Sequence, residues 1–235
     1  MAITITADGY PTDHQTTIAW AREGTAFLLN TVAALSDDEL DAPSALPDWN
    51  RRHVCAHVAR NAEALGRLLA WARTGVETPM YPSAEERAAD IERTSQAPAA
   101  DVRNDLVLAS STFLDACEDL PSKAWTATVR TMARDIPASV VPWYRVREVW
   151  IHAADLGASV GFADFPPVVS AALVTELSTG LGRRSAADLR LIATDTGEQW
   201  TVGSGAVRVA ATVSELAEWL TGRATRPEAE LPPWI

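Results

Sequence analysis

The chain has 235 residues, of which 47% are hydrophobic and 22% charged, and its formal net charge is −11. This length suits one large domain or two small ones, and the apolar fraction is too high for a disordered chain. The acidic charge argues against a nucleic-acid partner, because no excess of basic residues is present to neutralise phosphates. There is no apolar run long enough to predict a membrane span, no basic-then-apolar secretory signal at the start, and two cysteines cannot form a disulfide framework. We therefore expect a cytoplasmic protein.

The first two thirds of the sequence has the apolar periodicity of long α-helices. Thr12 or Asp13 can cap the first helix, and Gly75 follows the second at the position where a glycine commonly ends a helix. Long helices are predicted over residues 13–35, 50–74, 99–117 and 142–159, with a shorter one over residues 83–97. Residues 126–141 are expected to form a loop or an extended linker. Four long helices with one or two longer connections predict a helix bundle.

The last third has a different pattern, because a helix over residues 168–181 is followed by three short segments in which apolar and polar residues alternate. Thr212 and Glu215 then have the spacing of a capping box for a final short helix. This order predicts a small α+β domain. We place the domain boundary between residues 163 and 164, within a segment that two prolines interrupt.

Candidate catalytic residues are few, since the sequence contains only four histidines. His14 is expected to be a solvated residue at a helix start. His53 and His57 are four residues apart on the second long helix, as are Glu148 and His152 on the fourth, so each pair shares a helix face. Two histidines and one glutamate from two helices would form a three-ligand site with an open position, which is typical of catalytic zinc. Alternatively, each pair is a local contact on a helix surface.

Spacing does not decide which histidine of the second helix binds a metal. His53 follows two arginines in a polar first turn, whereas His57 lies in the apolar segment V-C-A-H-V-A and is better placed to face inwards. His57 is therefore the better candidate. Cys55 lies about 200° around the helix from His57, so we expect it, like Cys117, to be a packing residue.

Several segments resemble the mycothiol-dependent maleylpyruvate isomerases. Residues 49–61 and 147–157 resemble the metal-binding helices of the wider DinB-like superfamily, while residues 77–83 and 221–223 are more specific to the isomerases. The likeness covers essentially the whole chain, including the terminal residues 232–235. It implies a DinB-like four-helix bundle, followed by a small, sterol-carrier-like α+β C-terminal domain, with the active site between them.

The resemblance also implies which residues are functional. It makes His57, Glu148 and His152 the ligands of Zn²⁺, and it gives Arg223 a functional role, for which the alternative is a favourable interaction with the helix dipole. The implied reaction is the isomerisation of maleylpyruvate, a dicarboxylate, to fumarylpyruvate in the gentisate pathway, with mycothiol as cofactor. We hypothesise that zinc binds the mycothiol sulfur, and that reversible thiolate addition makes the cis double bond single for long enough to rotate. A monomer is expected.

Four further residues are candidates for the same site. Arg145 lies almost one helical turn before the glutamate and could reach the site, although a surface salt bridge is an equal alternative. Asn61 could orient a ligand or bind substrate, and Tyr81 could form part of the pocket wall. Asp155 could accept the second imidazole N–H of His152, or it could be solvated.

Two rival functions remain open from the sequence. The same zinc site could serve a mycothiol S-transferase, which conjugates electrophiles and consumes the thiol rather than regenerating it. A non-enzymatic alternative treats the C-terminal domain as a binding module for apolar ligands. That alternative predicts a closed hydrophobic cavity and no stoichiometric metal.

Overall fold

The computed structural model describes residues 5–232. Of the terminal residues 232–235, to which the resemblance extends, residues 233–235 lie outside the described residues. The chain divides into two compact units, residues 13–160 and the described parts of residues 1–12 and 161–235. This division lies near the predicted boundary between residues 163 and 164. The segment before Asp13 groups with the second unit, whereas the predicted boundary places it in the first domain. None of the helices in the described part is long and apolar enough to cross a membrane.

The first unit is a bundle of four long helices, as predicted, with two shorter ones, of which only the one near residues 83–97 was predicted. The helices are α1 (His14–Ala33), α2 (Asp37–Asp41), α3 (Arg51–Thr74), α4 (Ala84–Ser95), α5 (Ala99–Glu118) and α6 (Val141–Asp155). In the bundle, α3 packs against α5 and α6, while α1 packs against α6 and α5. Asn50 caps α3 by accepting a hydrogen bond from the backbone N–H of His53, and Gly75 ends the helix in the left-handed conformation, with φ +75°. These two caps fix the bounds of the helix that carries His57.

The sequence prediction for residues 126–141 is wrong in part. The segment contains an antiparallel hairpin of β1 (Thr128–Arg130) and β2 (Asp135–Pro137) rather than only a loop. Val129 and Ile136 face each other across the hairpin and are both buried, so tertiary packing stabilises strands too short to be recognised from their pattern.

Helix α6 is shorter than predicted, ending at Asp155 instead of near residue 159. Gly157 takes a left-handed φ of +61° directly after the helix. The guanidinium of Arg51, in the first turn of α3, donates to the carbonyl oxygens of Leu156 and Gly157 at 2.7 and 2.8 Å. These bonds satisfy carbonyls that a longer helix would have used, and they tie the C-terminal end of α6 to α3.

Helices α1 and α6 approach closely at a glycine. A Cβ atom on Gly24 would lie 2.5 Å from Nε1 of Trp150 and 2.6 Å from Cγ2 of Val149. The indole N–H of Trp150 donates to the carbonyl of Trp20 at 3.2 Å. Only glycine allows α1 to pack this closely on α6.

The second unit has the predicted helix, three strands and helix. These are α7 (Pro167–Arg184), β3 (Leu189–Ala193), β4 (Gln199–Val202), β5 (Val207–Ala211) and α8 (Val213–Leu220). The sheet order is β4-β3-β5, with β4 antiparallel and β5 parallel to β3. Thr212 and Glu215 form the predicted reciprocal capping box at the start of α8. The fold class, a four-helix bundle followed by a small α+β unit, is confirmed.

Candidate metal centre

Three side chains converge inside the bundle from two helices. His57 lies on α3, and Glu148 and His152 lie one turn apart on α6. The Nε2 atom of His57 is 3.0 Å from Nε2 of His152 and 3.0 Å from Oε2 of Glu148, while the distance from His152 Nε2 to the same oxygen is 3.4 Å. The exposed fractions of these side chains are only 8%, 21% and 14% for His57, Glu148 and His152.

The spacing of these three atoms fits a bound metal ion. Zinc ligands at about 2.0–2.1 Å in tetrahedral geometry lie about 3.3 Å from one another, close to the distances observed between the two imidazoles and the carboxylate. The Oε2 atom of Glu148 is buried and lacks a hydrogen-bond partner of good geometry. A buried carboxylate oxygen left in this way is costly unless a cation occupies the cluster.

The electrostatics of the cluster also favour ligation. Burial raises the pKa of the Glu148 carboxyl, but the imidazoles of His152 and His57 outweigh burial, so this pKa lies well below its ordinary value. Burial lowers the pKa of His57, and the adjacent Glu148 carboxylate offsets this lowering only in part. The carboxylate and the His57 imidazole are thus in the charge states that bind a metal near neutral pH.

Asp155 determines which ring nitrogen of His152 is available to a metal. It is 1% exposed, and its Oδ2 atom lies 2.9 Å from Nδ1 of His152. Because an ionised carboxylate can only accept, the proton of the neutral His152 imidazole, the form that binds a metal, is on Nδ1 and the lone pair of Nε2 points into the cluster. Burial lowers the pKa of His152, while Asp155 and Glu148 raise it, to about 9 overall. The predicted contact between Asp155 and His152 is present, and the alternative of a solvated Asp155 is wrong.

Comparisons with known proteins identify the family of the chain. The model of the mycothiol maleylpyruvate isomerase N-terminal domain matches residues 21–157, which include both helices of the cluster. The chain belongs to this family. A crystal structure of the mycothiol-dependent maleylpyruvate isomerase is 32% identical, covers 98% of this chain and 100% of its own, and has a TM-score of 0.87. A histidine-to-alanine mutant of that enzyme covers the same shares at 31% identity and a TM-score of 0.87. No match was found among curated proteins.

The two remaining histidines of this chain, His53 and His14, lie outside the cluster. The ring of His53 lies 2.6 Å from Oδ1 of Asn50 through Nδ1 and 3.1 Å from Oε2 of Glu92 through Nε2. His53 therefore joins α3 to α4, and the structure brings His57 rather than His53 to Glu148. His14 stacks on Trp125 with ring centroids 4.3 Å apart, which corrects the expectation that it is simply solvated.

Arg145 and Asn61 are buried together. Arg145 is fully buried and donates to the carbonyl of Val58 at 2.7 Å, to Oδ1 of Asn61 at 3.3 Å and to Oγ of Ser110 at 2.8 Å. Burial lowers the pKa of Arg145 to about 10, although the nearby Glu148 carboxylate raises it. The predicted alternative of a surface salt bridge is wrong, and these bonds favour a structural role over a substrate contact for both residues.

Tyr81 lies in the connection between α3 and α4, beside Arg87. The sequence did not indicate that Arg87 is part of the site. Burial raises the pKa of its hydroxyl, and its ring lies 5.9 Å from the guanidinium of Arg67 and 5.6 Å from that of Arg87. Arg87 also reaches the cluster, with NH2 3.1 Å from Nδ1 of His57. One arginine in a highly charged helix carries no sequence signal that distinguishes it from its neighbours, so only the packing of α4 on α3 identifies it.

Arg223 belongs to the second unit and follows the C-terminal end of α8. Its side chain is half-buried and donates to the carbonyl of Thr221 at 2.8 Å. This contact holds the side chain near its own helix end. The functional role of Arg223 remains a prediction.

Both cysteines are buried, as expected of packing residues. Burial raises the pKa of each thiol to about 12. A thiol with such a pKa is almost entirely protonated at neutral pH and is a poor nucleophile. Any thiol chemistry of this enzyme must use a thiol from outside the chain.

Proposed function

We propose that the protein catalyses the mycothiol-dependent cis–trans isomerisation of maleylpyruvate to fumarylpyruvate with a zinc ion in the bundle. Family membership supports the reaction, and the likeness to the solved isomerase extends over 98% of the chain. The observation that carries the proposal is the convergence of His57, Glu148 and His152 on one point. Two imidazoles and one carboxylate form a three-ligand set that leaves an open position, as in catalytic zinc sites.

The substrate explains why a metal and a thiol are needed together. Maleylpyruvate has a cis double bond conjugated to a carbonyl, and rotation about a double bond is prohibitive. The chemistry that the two bound groups would supply is a thiolate at neutral pH, whose reversible addition makes that bond single for long enough to rotate. The buried thiols of Cys55 and Cys117 cannot provide this nucleophile.

The residues of the chain position and polarise the site. His57, Glu148 and His152 would hold the ion, and Asp155 keeps the proton of His152 on Nδ1 so that Nε2 stays available. We also propose that Arg223 binds a substrate carboxylate, because a guanidinium can pair with a carboxylate through two parallel hydrogen bonds. Such cations are needed, since the chain has 31 acidic and 20 basic residues while its substrate is a dianion.

Substitutions in the cluster test the proposal against a histidine of the same helix. We expect His57→Ala and Glu148→Gln to lose both bound zinc and isomerase activity. His53→Ala removes a histidine one turn earlier on α3 whose partners are Asn50 and Glu92, and it should keep both. Zinc per chain is measured by atomic absorption and turnover by maleylpyruvate absorbance. Full zinc content and activity in Glu148→Gln would contradict the proposed site.

A further inference from the structure

Arg87 is a cation beside the cluster for which the described residues provide no acidic partner. Its NH2 group lies 3.1 Å from Nδ1 of His57, and its guanidinium lies over the ring of Tyr81. No carboxylate of the described residues forms an ion pair with it. By contrast, Arg93 on the same helix pairs with Asp90, and Arg60 on α3 pairs with Asp105. A half-buried guanidinium that lacks a carboxylate is available to an anion from outside the chain.

The contact with His57 cannot persist when a metal is bound. An arginine can only donate, so Nδ1 of His57 accepts and the imidazole proton is on Nε2, directed at Nε2 of His152. Metal ligation requires the lone pair of Nε2, which moves the proton to Nδ1. Two donors, the Nδ1–H and the guanidinium N–H, would then face each other. Arg87 must therefore leave His57 when the cluster is loaded.

From these two observations we infer that Arg87 is a substrate-binding residue, released from His57 by metal binding and then pairing with a carboxylate of the dicarboxylate substrate. This inference rests on the proposed function, because it takes maleylpyruvate as the ligand. Tyr81 limits the space into which the released guanidinium can turn, since its ring lies 5.6 Å from that group and is itself flanked by Arg67. Metal loading and substrate binding are thereby coupled through one side chain.

The test compares Arg87→Met with Arg93→Met, which removes the same charge from the surface of the same helix. Maleate, a stable cis-dicarboxylate, is the probe, and its affinity for the zinc-loaded, thiol-free protein is measured by calorimetry. We expect Arg87→Met to bind maleate about 10- to 100-fold more weakly than wild type, the usual loss for a hydrogen bond between charged groups. KM for maleylpyruvate should rise similarly. Arg93→Met should match wild type in both measurements.

Zinc affinity, measured by competition with a chromophoric chelator, separates this role from a structural one. If Arg87 opposes the metal-bound tautomer of His57, Arg87→Met should bind zinc about 2- to 10-fold more tightly, the range for loss of one competing hydrogen bond. If Arg87 merely orients His57, the variant should bind zinc more weakly, which would overturn the inference. Maleate affinity and KM equal to those of Arg93→Met would also overturn it.

A second variant and a second comparison keep the outcomes distinct. Arg87→Lys retains the charge but not the paired donors, so it should bind maleate with intermediate affinity even if the methionine variant does not fold. Wild-type affinity in Arg87→Lys would exclude paired recognition of a carboxylate. If the wild-type protein binds maleate through Arg87 yet does not isomerise maleylpyruvate, the proposed function fails while the anion site stands. If it isomerises maleylpyruvate without any dependence on Arg87, the inference fails alone.

Discussion

Replacement of Asp155 by asparagine should weaken zinc binding without changing a ligand. The carboxylate of Asp155 is 1% exposed and lies 2.9 Å from Nδ1 of His152, and asparagine keeps its shape while removing its charge. Carboxylates that orient a metal-bound histidine typically contribute about 10- to 100-fold in metal affinity, or about 1.4–2.7 kcal/mol. We expect a loss in this range when zinc affinity is measured by chelator competition.

The pH of the measurement determines how much of this loss is visible. His152 has a pKa of about 9, raised in part by Asp155, so below pH 9 a proton competes with zinc for this ligand. Zinc affinity of the wild type should therefore increase with pH and level off near pH 9. Asp155→Asn lowers the pKa of His152 and reduces the competition, so the two proteins should differ most near pH 9 and less near pH 7.

A matched control comes from another histidine and carboxylate pair. Glu92 lies 3.1 Å from Nε2 of His53, outside the cluster, and Glu92→Gln should leave zinc affinity unchanged. If Asp155→Asn binds zinc as tightly as wild type at pH 9, the assigned role of Asp155 is wrong. If Glu92→Gln weakens zinc binding equally, the effect is not specific to the cluster.

Three further predictions concern residues away from the ligands. Because the pKa of each buried thiol is about 12, Cys55 and Cys117 should resist alkylation by iodoacetamide at pH 8 in the folded protein. Replacing both cysteines with alanine should preserve mycothiol-dependent activity. Rapid labelling or lost activity would contradict this prediction. Gly24→Ala should lower the free energy of unfolding by about 1–3 kcal/mol despite the better helix propensity of alanine, since its Cβ would overlap Trp150. Urea denaturation measures this free energy, and an unchanged midpoint would contradict the prediction. Arg223→Lys should raise KM or lower turnover at unchanged zinc content, and unchanged kinetics would refute its role.

The candidate ligand set was predictable from the sequence because helices impose a fixed periodicity. The four-residue spacing of Glu148 and His152 places both on one face, and the apolar surroundings of His57 distinguished it from His53. Asp155 follows His152 by three residues, so its contact also depends only on local geometry. What spacing could not provide was the juxtaposition of the two helices, which the resemblance supplied.

The features that the sequence did not reveal depend on tertiary contacts. Arg87 reaches His57 only because α4 packs on α3, and nothing in its local pattern differs from that of other arginines. Arg145 was compatible with an open site or a salt bridge, but its partners come from α3 and α5, far away in the chain. The hairpin formed by residues 128–137 has strands of three residues each, too short to show alternation.

The central claim is tested most directly by following maleylpyruvate with the zinc-loaded protein and substoichiometric mycothiol. The account predicts many molecules of fumarylpyruvate formed for each mycothiol, with the thiol recovered unchanged, and no reaction when mycothiol is omitted. Consumption of one mycothiol for each molecule of substrate would instead indicate a thiol transferase. No turnover despite one bound zinc per chain would contradict the proposed reaction while leaving the metal site in place.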